Sequence, residues 1–216
     1  MINNSLKSKY LAQYLIICIF LCSISSFSQK EFTFNIRAGI NLSNYVNNTF
    51  GADFKSGVGF AVGIEGEYLL NEKWSLISGL SYERKTIVSD FDVQIILPGG
   101  GGQQIVNVND KFHYNYLSLP LMARYTLKDG KVFIFFNLGG YAGYLLNAKF
   151  NDEDQTSLYV KGDGGLAGGI GVLIPVSEKN NFIIELRDHY SLIDINESTT
   201  ETQINTFSLL LGISLN

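Results

Sequence analysis

Seven charged residues sit on one parity of stretches that are otherwise apolar: Arg37, Glu65, Glu67, Glu83, Arg124, Glu185 and Arg187. In an extended chain successive side chains point to opposite faces, so residues two apart share a side. Each of these charges then lies with glycine, alanine and serine, while the opposite face carries valine, isoleucine, leucine and aromatics. Ionised groups enclosed together must pair, because an unpaired buried charge costs several kcal/mol. The chemistry open to them is mutual neutralisation, which fills an interior, or a path along which ions move.

His189 falls on the same parity, with Ser191 two residues on and Asp163 in the preceding segment. These are the parts of a nucleophilic site, in which a base within hydrogen-bond reach takes the serine proton. Attack on lipid would also need an oxyanion site, and no Gly-x-Ser-x-Gly elbow accompanies the three. On a strand, residues two apart have Cα atoms roughly 7 Å apart, so His189 and Ser191 meet only through favourable rotamers. No catalytic residue is assigned. His113 is the only other histidine, so no histidine-rich metal site is expected and no cofactor is called for.

The run Pro98-Gly99-Gly100-Gly101-Gly102-Gln103-Gln104 lacks the lysine and following helix of a phosphate loop and reads as a surface loop. Asp152-Glu153-Asp154 reads as a solvated acidic tip in preference to a Ca²⁺ site. Asp188 falls on the apolar face, where a bulge or a position near the segment's end would relieve its cost.

Residues 1–28 are expected to be a signal peptide. Lys7 and Lys9 give a positive start, Leu15–Leu21 an apolar run, and Ser26-Phe27-Ser28 a small-x-small cleavage site before Gln29. That apolar run is far short of the ~20 residues that span a bilayer as a helix. Both cysteines, Cys18 and Cys22, would leave with it, so disulfides and thiol chemistry are not expected. Losing Lys7 and Lys9 would leave 14 basic residues against 20 acidic, a net charge of about −6. Nucleic-acid binding needs a basic face and is not expected.

The remaining residues, 29–216, read as one domain of eight period-two segments: Phe32–Leu42, Gly57–Leu70, Trp74–Val88, Phe112–Leu127, Val132–Asn147, Gly162–Val176, Phe182–Ile193 and Ile204–Leu215. Each is eleven residues or longer, which suits a tilted membrane strand of ~9–11 residues better than the ~5–6 usual in soluble domains. The links alternate. Short turns follow the second, fourth and sixth segments, and long polar links (Ser43–Ser56, Ser89–Lys111, Ala148–Lys161 and Asp194–Gln203) follow the others. The expected fold is an all-β, eight-stranded antiparallel up-and-down transmembrane barrel in a Gram-negative outer membrane, with both termini periplasmic. An interior that narrow fills with side chains, so the seven charges are read as a salt-bridged plug. Aromatics at both ends of the apolar face, among them Trp74 and Tyr125 at one and Phe60 and Tyr82 at the other, read as interfacial girdles.

Tyr116-Leu117-Ser118-Leu119-Pro120-Leu121-Met122-Ala123-Arg124-Tyr125 resembles the "Y-L-x-I-P-L-x-x-K/R-Y" strand of the PorT-like outer-membrane β-barrel family of Bacteroidota. Arg37–Tyr45, Gly164–Gly171 and Glu185-Leu186-Arg187 are also similar to that family. The resemblance covers essentially all of residues 29–216 and implies the fold and the membrane. Its name-giving member is associated with type IX secretion and gliding, so the resemblance raises secretion or envelope proteins as partners, alongside outer-membrane lipid. The expected function is a non-enzymatic barrel serving as a structural or interaction component of the cell envelope. A small pore is the alternative, and a lipid-modifying enzyme centred on His189 and Ser191 the lower one.

Overall fold

The computed structural model describes residues 32–46, 54–96, 103–128, 130–177, 180–196 and 202–215. Apart from Phe32 they lie in one compact unit, Thr33–Asn216. The eight long strands are β1 (Phe32–Val46), β2 (Phe54–Leu69), β3 (Trp74–Ile96), β4 (Gln103–Leu127), β5 (Phe133–Phe150), β6 (Gly162–Pro175), β7 (Asn180–Ser191) and β8 (Gln203–Leu215). A two-residue ladder, Glu153–Asp154 against Lys149 and Phe150, and one short 3-10 turn, Thr156–Leu158, lie between β5 and β6. Each long strand pairs with its chain neighbours, and β1 pairs antiparallel with β8. The sheet is therefore a closed, up-and-down, eight-stranded antiparallel barrel without a free long edge.

Alternation sets which face is which. On β1, Asn35, Arg37, Asn41 and Ser43 are buried while Phe34, Ile36, Ile40 and Leu42 are exposed. Leu138 is 73% exposed and Val58 65%, whereas Arg124 and Lys85 are fully buried. A soluble barrel would show the reverse. An outer band of aliphatic side chains around a polar interior is the arrangement that lipid demands. Trp74 and Tyr125 pack with ring centroids 4.9 Å apart at the turn end of that band, and Phe60 and Tyr82 at 5.8 Å nearer the loop end.

The turns at one end are tight. Between β2 and β3 the Asn71 carboxamide accepts from the amides of Lys73 and Trp74, both at 3.0 Å. Between β4 and β5, Gly130 takes a left-handed φ of 80°, which only glycine adopts without strain.

The largest difference from the sequence expectation concerns the link Ser89–Lys111. Its flanks are not loop: β3 runs on to Ile96 and β4 begins at Gln103, paired in unbroken register from Ser89↔Asp110 to Ile96↔Gln103. Because, among the described residues, β2 pairs with β3 only as far as Ser89 and β5 with β4 only as far as Phe112, a two-stranded ribbon extends past those pairings. Gln103 and Gln104 belong to this ribbon, while residues 97–102, with the rest of the glycine run, lie outside the described residues. The leader expected at 1–28 lies outside them too. β1 and β2 likewise outrun their expected segments, and Asn180 and Asn181 join β7.

Closure requires close backbone approach at the β1–β8 seam. A Cβ on Gly39 would strike the Leu209 carbonyl and the Leu210 backbone. Gly39→Ala should therefore destabilise the barrel by about 1–3 kcal/mol through overpacking, read as a lower urea midpoint on unfolding from lipid vesicles.

Candidate functional site

The lumen is built from the buried parity of all eight strands, and its charges fall into two groups. The first is centred on Glu185 of β7. Its Oε1 accepts from Arg187 Nε at 2.8 Å and Asn137 Nδ2 at 2.8 Å, and its Oε2 from Arg187 Nη2 at 3.1 Å and from Arg37 Nη1. Arg124 Nη2 stands 4.0 Å from the same Oε2. One carboxylate thus faces three guanidinium groups from three strands. Glu65 on β2 shares two of them, with Arg187 Nη1 at 2.6 Å and Arg37 Nε at 3.0 Å. Arg124 donates to Glu67 at 2.7 Å and to Asn137 at 3.0 Å, and its guanidinium lies 4.0 Å from the Phe135 ring centroid. Ser75 completes the turn-end side by donating to Glu67 at 2.6 Å.

Glycines make room for this group. A Cβ on Gly169 would come 2.7 Å from Glu185 Oε1, one on Gly79 2.7 Å from Glu65 Cγ, and one on Gly212 2.9 Å from Arg37 Cγ. Small residues on strands beside charged ones are the local condition for packing long ionic side chains in so narrow an interior.

Glu83 does not join that group. It lies toward the loop end, where Ser81 Oγ donates to it at 3.0 Å and His189 Nδ1 stands 3.5 Å away, at the limit of a hydrogen bond. His189 stacks on Tyr141, centroids 4.4 Å apart and planes 15° from parallel. Beside them Lys85, absent from the residues singled out in the sequence, donates to Asp163 at 2.8 Å and lies over the rings of Tyr116 and Tyr141. Asp163 also accepts from Ser191 Oγ at 2.7 Å, the Gly164 amide at 2.8 Å and Tyr141 OH at 3.2 Å.

That arrangement does not assemble the nucleophilic trio. Asp163 accepts the Ser191 hydroxyl and neutralises Lys85, so it does not orient His189. The nearest acceptor to the His189 ring is Glu83 Oε1, 3.5 Å from Nδ1 and not aligned for a hydrogen bond. Such a serine is held by an acceptor rather than prepared by a base.

Above the second group, toward the loops, the lumen turns apolar. Ile87, Tyr114, Tyr116, Leu145, Ile195 and Ile204 are buried together, with Tyr45, Phe54 and Tyr159 against them. The Tyr45 and Tyr114 hydroxyls share a 2.6 Å hydrogen bond, and the Tyr159 ring stands edge-on to Tyr114 at 5.0 Å. Tyr159 and Ile195 come from two different loops, which the amide of Val160 ties together by donating to the Ile195 carbonyl at 2.9 Å.

The remaining candidates have structural settings. His113 lies within β4, with Nδ1 3.1 Å from Thr86 Oγ1. No group of three metal-ligating side chains occurs among the described residues. Asp154 accepts from the Thr156 amide at 2.9 Å, which holds its carboxyl below the usual carboxylate range. Asp188 faces outward three residues from the loop end of β7, in a β7–β8 register without a bulge, and takes a hydrogen bond from Asn205. Its height, and not an irregularity, relieves it.

Glu185→Gln keeps the side chain's shape but removes the charge that three guanidinium groups face. Breaking a buried ion pair from one side costs about 3–5 kcal/mol. Urea unfolding from vesicles should show a loss of that order, and a midpoint equal to the parent's would contradict the hub role.

Comparison with solved structures places the architecture. Neisserial surface protein A is 15% identical, covering 84% of this chain and 96% of its own, with a TM-score of 0.51, and so shares the fold. OprG of Pseudomonas aeruginosa (13% identical; 86% and 95% covered; TM-score 0.49) and Ail, the attachment invasion locus protein of Yersinia pestis (18%; 86% and 99%; 0.46), are also similar. No curated protein matches the sequence. The family model described as outer membrane protein beta-barrel domain matches residues 27–197. With a lipid-facing exterior, a closed eight-stranded sheet and that match over most of its length, the chain belongs to the outer membrane protein beta-barrel domain family.

Proposed function

We propose that the protein is a non-enzymatic integral outer-membrane barrel whose lumen is plugged, and that it serves the cell envelope as a structural or interaction component. The observation that carries this reading is the filling of the lumen: the Glu185-centred ion pairs below, the Lys85–Asp163 group above, and the aromatic cap over both. Moving an ion through would mean separating buried pairs and hydrating an apolar layer, each unfavourable by several kcal/mol. In this reading the outer face is solvated by membrane lipid, and the loop end, with the ribbon of β3 and β4, meets other envelope proteins. The short turns and both ends of the barrel sheet lie together, which supports periplasmic termini after removal of a leader at 1–28. The likeness of the Tyr116–Tyr125 strand to the PorT-like family supports a secretion-associated partner. Nucleic acid is not a partner in this reading.

In planar bilayers the purified barrel should give no stable conductance, and steady channels would overturn the plug. A small pore is the second reading, favoured only by the mixed charges of the lumen, and the same recording decides between them. Affinity purification from cross-linked outer membranes should recover envelope or secretion proteins with the parent, and lose them when residues 90–109 are replaced by a tight turn. Equal recovery would move the interaction away from the ribbon.

A further inference from the structure

A cavity of about 20 Å³ lies in the lumen between the two charged groups, lined among others by Arg37, Ala61, Glu65, Glu83 and His189. Four of these residues carry polar atoms without a hydrogen-bond partner among the described residues: Nη2 of Arg37, Oε2 of Glu65, Oε2 of Glu83 and both ring nitrogens of His189. All four side chains are more than nine-tenths buried. Glu65 Oε2 does lie 3.0 Å from Arg37 Nε and His189 Nδ1 3.5 Å from Glu83 Oε1, in each case without the alignment of a hydrogen bond. Leaving such atoms unsatisfied costs about 1–3 kcal/mol each, so a structure that retains several of them around one space points to a guest.

The chemistry of the four selects that guest. The two carboxylate oxygens accept, the arginine N–H donates, and an imidazole offers at least one N–H donor. Two acceptors and two donors are the complement of one water molecule. The space also fits, since a water needs roughly 10–15 Å³ of this kind of volume and two to four polar partners. A bare ion of either sign fits worse, because Arg37 and Arg187 line the cavity as well as Glu65 and Glu83.

We propose that this cavity is a binding site for one structural water, which donates to Glu65 and Glu83 and accepts from Arg37 and His189. The water joins two groups that no direct hydrogen bond connects among the described residues. Below it, Glu65 continues through Arg187 to Glu185 and Arg124. Above it, His189 lies against Tyr141, which donates to Asp163. The lumen then holds a hydrated joint between its two charged groups.

The test uses the full barrel in lipid vesicles with ¹⁵N-labelled histidine and solid-state NMR in which magnetisation starts on water. His113, part-exposed on β4, is the internal reference, identified by its loss in His113→Gln. At mixing times that light up His113, the His189 ring should also receive water magnetisation. A His189 ring that stays dark overturns the proposal. Ala61→Val adds two methyl groups to the cavity wall, and should abolish the transfer and lower the urea midpoint, whereas Ala61→Ser should retain both. A dry void predicts the opposite, no transfer in the parent and a raised midpoint when filled, and that pattern would also overturn it. Should Ala61→Val fail to refold, the parent spectrum decides alone.

Discussion

The rest of the structure depends on the pairing of one carboxylate, Glu185, with guanidinium groups that arrive from three different strands. A barrel of eight strands has an interior wide enough for side chains and little else. Charges placed there have almost no water to stabilise them, so the interior is viable only if they neutralise one another in good geometry. That requirement reaches outward through the sheet. Arg37, Arg124 and Arg187 must stand at one height, which fixes the register of β1, β4 and β7. Gly79, Gly169 and Gly212 must lack side chains, which accounts for part of the glycine on the inner face. The aliphatic exterior then follows from the alternation of the same strands.

Along the barrel axis the filling changes in kind. Ion pairs occupy the middle, a smaller group around Asp163 lies above, and an apolar layer of tyrosine and isoleucine closes the loop end. Polar filling alone would leave the loop-end mouth open to solvent. The buried aromatic layer lowers the local dielectric, which strengthens the pairs beneath it. The cap is also the part of the filling supplied partly by loops, through Tyr159 and Ile195, and loops are the less stable elements of most proteins.

Much of this was legible in residue order. The parity of Arg37, Glu65, Glu67, Glu83, Arg124, Glu185 and Arg187 follows from a period of two, and the structure buries all of them wholly or in part. Who meets whom was not legible. Arg37 and Glu185 are 148 residues apart, and their meeting depends on strand tilt and barrel diameter, which no local pattern encodes. Glu83 stands apart from the other six because of its height, again a property of the closed sheet. Lys85 shares the inward parity of Glu83, but its partner Asp163 lies 78 residues on and no local pattern points to it. The ribbon was hidden by composition: Asp90, Asp92, Gln94 and Asn107 look like loop, while Val93, Ile95, Val106 and Val108 between them carry the strand alternation.

Every pairing in the barrel but one joins strands that follow each other in the chain. The exception is the seam between β1 and β8, where Phe34 meets Leu215 and Ser43 meets Thr206. Seven hairpin-like contacts can form locally and quickly, whereas the seam must bring together the two ends of the sheet across the whole domain. Loop-closure entropy grows only slowly with separation, but it opposes the process until the seam's own contacts form. The topology therefore gives assembly a natural last step: an open, curved sheet with two unpaired edges that zips shut. Until then Arg37, on one edge strand, is parted from Glu185 on the strand next to the other edge. The contacts that seal the edges also bring Arg37 to Glu185, so the closed sheet is a condition for completing the interior's charge pairing.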